Sequence, residues 1–106
     1  MNEHIQVAET IKEQLGGSRF TSMTGAKGFL ADDEQMGALS FHLPRQRGFV
    51  RNGINHVKIV LTWKDLYDIT FSRIGRTVQV VEKATDIYCD ELQDCFTRVT
   101  GLATHL

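Results

Sequence analysis

From residue 19 to residue 83 apolar side chains return at every second position, and this period constrains the fold more than any other feature. Leu39, Phe41 and Leu43 alternate with Ser40 and His42. Val57, Ile59, Leu61 and Trp63 alternate with Lys58, Val60 and Thr62. Tyr67, Ile69 and Phe71 alternate with Asp68, Thr70 and Ser72, and Val78 and Val80 extend the pattern. Successive side chains of a strand point to opposite faces, so this alternation predicts strands buried on one face only. Turn signals divide them at residues 25–28, residues 32–37, Lys64-Asp65 and Gly75. Connections this short favour antiparallel hairpins over crossovers. Asn52-Gly53 suits a two-residue hairpin turn, because both residues tolerate positive φ.

The period differs at the two ends. In residues 2–15, Ile5, Ala8, Ile11 and Leu15 recur at helical spacing, and Gly16-Gly17-Ser18 stops the helix. In residues 86–100, Tyr88, Leu92, Cys95, Phe96 and Val99 form an apolar stripe. Thr85 or Asp86 is placed to cap the start, and Gly101 with Leu102 to close the end. A sheet with one apolar face needs a cover, and two amphipathic helices provide it. The expected fold is α+β: an antiparallel sheet of about five strands, with N- and C-terminal helices packed on one face. The outer face is expected to show Ser40, His42, Lys58, Thr62, Thr70 and Ser72. A chain of 106 residues holds one such core, so residues 1–106 read as a single domain.

A hydrophobic fraction of 42% with a net charge of -1 excludes a disordered polyelectrolyte. No apolar run approaches the ~20 residues of a membrane span. The start, Met-Asn-Glu-His, lacks the pattern of a secretory signal. Cys89 and Cys95, in one predicted helix, lie about 9 Å apart along its axis and about 120° around it, too far to bridge. Reduced thiols point to a cytoplasmic, soluble protein.

No motif supplies a catalytic centre. His4, His42, His56 and His105 show no ligand spacing, which predicts no metal site and no cofactor. Cys89 has no histidine nearby in sequence to activate it. Asp32-Asp33-Glu34 reads as a solvated acidic hairpin loop. Thr24-Gly25-Ala26-Lys27-Gly28 departs from a phosphate loop, since its lysine precedes the second glycine and a strand pattern follows; it reads as a tight turn.

Charge asymmetry is more informative. Residues 35–64 carry Arg45, Arg47, Arg51, Lys58 and Lys64 and no acid. From Ala84 onward Asp86, Asp90, Glu91 and Asp94 face only Arg98. Two candidate partner-binding surfaces follow. One is a cationic finger of Arg45, Arg47, Phe49 and Arg51, where guanidinium forks grip phosphate or carboxylate and Phe49 stacks or fills a pocket. Its bland counterpart is a solubilising hairpin whose arginines pair with Asp32, Asp33 and Glu34. The other is an acidic ridge of Asp86, Asp90 and Asp94, repeating every fourth residue along the last helix.

Leu15-Gly16-Gly17, Phe20, Met23 to Phe29, Leu39 to Pro44 and the ending Leu92 to Leu102 resemble small proteins carried by phages, prophages and other bacterial mobile elements. The shared positions are turns, caps and core residues, so the resemblance brings no catalytic residues with it. It implies an accessory factor that binds a host protein or nucleoprotein complex stoichiometrically, as anti-CRISPR-like inhibitors of host defence do. The competing expectations are a DNA- or RNA-binding accessory protein and an enzyme whose site is completed at a subunit interface.

Overall fold

The computed structural model describes residues 3–44 and 50–104. Helix α1 (Glu3–Leu15) leads into helix α2 (Gly17–Thr24), then strands β1 (Lys27–Asp32), β2 (Gly37–His42), β3 (His56–Leu61), β4 (Tyr67–Ile74) and β5 (Val78–Ile87). A short 3-10 turn (Cys89–Glu91) and helix α3 (Leu92–Thr100) complete the order. The strands form one antiparallel meander, β1-β2-β3-β4-β5. The fold is therefore α+β, a five-stranded antiparallel sheet with helices at both ends of the chain.

The alternating residues meet in register. Phe41 pairs with Val57 and Val57 with Phe71; Leu39 pairs with Ile59 and Ile59 with Ile69. Their shared face packs against Ala8, Ile11 and Leu15 of α1, Phe20 of α2, and Leu92, Cys95, Phe96 and Val99 of α3. Phe20 stands edge-on to Phe96 and Phe41, with ring centroids 5.1 Å and 5.4 Å away. Among the described residues no helix is long and apolar enough to cross a membrane.

Four local expectations are corrected. Gly16-Gly17 does end α1, but it also starts α2, where strand character was expected. Both glycines turn the corner at positive φ, and Phe20 and Thr24, four apart, are buried on one face of the new helix. Trp63 is 74% exposed instead of facing the core. Strand β3 ends at Leu61, and the Thr62 N–H and hydroxyl both donate to the Leu66 carbonyl in a turn that throws Trp63 outward.

Val78 and Val80 are exposed as well. Register shifts in β5 insert an extra residue opposite Phe71/Ser72 and another opposite Tyr67/Ile69. The β5 side chains that reach the core are consequently Val81, Ala84 and Ile87, at a spacing of three. Finally, β5 occupies residues assigned to the last helix. Thr85 and Asp86 cap nothing; the Asp86 N–H donates to Asp68 Oδ1 on β4, and Tyr88 is exposed. The Glu91 carboxylate instead accepts the Tyr88 N–H at the 3-10 turn. The far end is as expected: Gly101 is left-handed (φ 80), its N–H donates to the Thr97 carbonyl, and Leu102 is buried.

Candidate functional site

A meander sorts its connections into two ends. The β1–β2 and β3–β4 turns share one end with the finish of β5. The β2–β3 connection (residues 43–55) and the β4–β5 turn share the other end with the start of β1. The chain's charges sort the same way. Residues 14–31, 35–64, 69–81 and 95–106 contain no acid. Parts of all four converge at the second end, bringing Lys27, Arg51, Arg73 and Arg76 there, all exposed.

Packing holds this end together. The β2–β3 connection turns at Arg51–Gly53, where Asn52 and Gly53 take φ of 56 and 68. The left-handed pair is as the sequence suggests, but it lies within a 13-residue connection rather than forming the hairpin turn itself. Arg51 folds back onto α3, and its Nη1 donates to the Arg98 carbonyl at 3.1 Å, satisfying an orphan carbonyl of the last turn. Arg73 lies across Gly53, donating to the Asn52 carbonyl at 3.4 Å and to the Gln79 side chain. Buried Asn55 ties β3 to β4, giving its Nδ2 to the Ile74 carbonyl and accepting the Ile74 N–H.

The acceptors of Arg51 and Arg73 are thus neutral, and among the described residues neither pairs with a carboxylate. Arg98 differs, with Glu82 at 3.9 Å. On the outer face just inside this end, His42 and His56 are cross-strand partners with ring centroids 5.0 Å apart. Burial, then His42 and Lys58, hold the His56 imidazole below its ordinary range.

The opposite end is acidic. Asp32, Asp33, Glu34, Asp65, Asp68 and Asp86 gather around its turns. Lys58 Nζ lies 2.6 Å from Glu34 and 3.4 Å from Asp32. Lys58 holds the Asp32 carboxyl below the usual carboxylate range, and Glu34 raises Lys58. Among the described residues, Asp32 and Glu34 are thus engaged by Lys58 across the strands. Among the described residues no three His, Cys, Asp or Glu side chains group as metal ligands. Thr24-Gly25 closes α2: the Gly25 N–H donates to the Thr21 carbonyl and the Thr24 hydroxyl to the Phe20 carbonyl.

The chain matches no protein-family model, no curated protein and no solved structure.

The sequence-named residues fare unequally. Arg45, Arg47 and Phe49 lie outside the described residues. Arg51 belongs to the cationic end, though anchored on α3 rather than projecting freely. The acidic ridge does not exist as a helix face: Asp86 is in β5, Asp90 in the 3-10 turn and Asp94 in α3. Sequence reasoning missed Lys27, Arg73 and Arg76, which stand singly or paired in separate stretches. The signal that could have found them was the set of four acid-free stretches, read together with the meander.

Proposed function

We propose that this chain is a non-enzymatic binding protein. It acts stoichiometrically on a host protein or nucleoprotein complex in the bacterial cytoplasm, as an accessory factor of phage or mobile-element type and an inhibitor of host defence. The observation that carries the binding reading is the convergence of Lys27, Arg51, Arg73 and Arg76 at one acid-free end of the sheet. Folding does not require such one-signed clustering, because like charges repel and surface pairs contribute little to stability. An anionic partner removes the repulsion. The family resemblance supports the accessory role, and two free cysteines suit a reducing compartment.

The test is affinity capture from bacterial lysate, with and without nuclease, using wild type and the Lys27→Gln, Arg73→Gln, Arg76→Gln variant. Wild type should retain a partner in stoichiometric amount, and the folded variant should lose it. Equal retention by both proteins would overturn the cationic end as the contact surface.

A further inference from the structure

We infer that the cationic end binds the phosphate backbone of double-stranded nucleic acid. This rests on the proposed binding role of that end and names the chemical class it contacts.

Lys27 comes from β1, Arg51 from the β2–β3 connection, and Arg73 and Arg76 from β4 and the turn after it. A single carboxylate neutralises one or two neighbouring cations, whereas a duplex presents a charge about every 1.7 Å along its axis and meets a spread array at once. Protein interfaces draw their affinity from a buried apolar or aromatic centre with few charges in it. This end offers one sign of charge supplied by several elements.

Arg51 and Arg73 are held by backbone carbonyls and a glutamine amide, which fix the guanidinium without neutralising it. Part of the entropy of ordering these long side chains is met in the free protein, and donors remain for phosphate oxygens.

Lysine and arginine side chains at this end suit backbone phosphates, contacts that position a protein on nucleic acid without reading its sequence.

The experiment is fluorescence anisotropy of a labelled duplex of about 20 base pairs across a salt series, with a single strand of the same length and poly-glutamate as further ligands. Four phosphate contacts predict a log–log salt slope of roughly −3 to −4, or about a 100-fold loss of affinity between 50 and 200 mM salt. Lys27→Gln, Arg73→Gln, Arg76→Gln should reduce that slope towards −1, and Lys64→Gln at the acidic end should leave it unchanged. Thermal unfolding of each variant confirms that it is folded.

Absence of duplex binding at low salt, a slope unaltered in the folded triple variant, or equal or tighter binding of poly-glutamate overturns the inference. Tighter binding of the single strand overturns the choice of duplex. The two failures are distinguishable. Lysate capture that survives nuclease but is lost in the triple variant retains the binding function with a protein partner and removes only the nucleic acid.

Discussion

Phe96 shows how much one side chain carries in a core this small. It is fully buried on α3, edge-on to Phe20 and 6.2 Å from Phe41, so it joins both terminal helical regions to the sheet. Phe96→Ala should lower stability by about 3–5 kcal/mol, measured as the shift in urea midpoint at constant slope. Phe41 and Phe96 were legible from their spacing in the chain. Phe20 was legible as apolar, but its helix was not. Asn55 was not legible as structural at all, because its role depends on a contact with Ile74 nineteen residues away. His56 makes a second prediction. Its folded pKa lies below the ordinary 6.5, with burial the first cause and His42 and Lys58 following. Below about pH 6.5 the unfolded chain takes up a proton that the folded chain resists, so stability falls as pH falls through that window. Wild type should lose stability from pH 7 towards pH 5.5 more steeply than His56→Gln, read from urea midpoints at each pH. Equal slopes would place the cause elsewhere, with Asp32 the next candidate. Its lowered pKa gives the same sign, but in the lower range where carboxylates titrate.

At the scale of elements, the sheet was legible and its borders were not. Strands β2, β3 and β4 are flanked on both sides, so their alternation is regular. Strand β5 has a free edge and two register shifts, and its core-facing residues, Val81, Ala84 and Ile87, come at intervals of three. That spacing resembles a helix more than a strand, which is why the last helix was expected to begin near Asp86. Helix α2 escaped for the opposite reason. Eight residues give one pair of buried positions at helical spacing, Phe20 and Thr24, too few to establish a period. The end of α3 was legible, and it carries the next prediction. Gly101 combines a left-handed backbone with a close approach: a Cβ there would lie 3.1 Å from Arg51 Nε. Gly101→Ala should cost about 1–2 kcal/mol from the backbone alone. It should also push Arg51 off the Arg98 carbonyl. Hydrogen exchange should therefore quicken in the last turn of α3 and around residues 51–54, while the β3 and β4 amides keep their protection. Uniform loss of protection across the sheet would show that this cap is not a local device.

Over the whole molecule, the net charge of -1 conceals two ends of opposite sign. A six-residue strand spans about 20 Å, more than twice the ~8 Å over which physiological salt screens a charge. Each end therefore meets its surroundings almost independently of the other, and the net charge predicts neither one's behaviour. Composition alone could not reveal this. The 13 acids and 12 bases nearly cancel, and the segregation appears only when the meander brings separated stretches together. The consequence is measurable without knowing any partner. At pH 7 and low salt the wild type, though slightly acidic overall, should be retained on heparin as well as on an anion exchanger, because each matrix sees one end. Lys27→Gln, Arg73→Gln, Arg76→Gln should elute from heparin at markedly lower salt. Lys12→Gln, Lys64→Gln, Lys83→Gln removes the same number of charges and should leave heparin elution nearly unchanged, since Lys64 sits beside Asp86 at the acidic end and the other two lie on α1 and within β5. Net charge is identical in the two variants, so a difference between them can come only from where the charges lie. Equal shifts would mean that heparin senses total charge, and that the two ends do not act as separate surfaces.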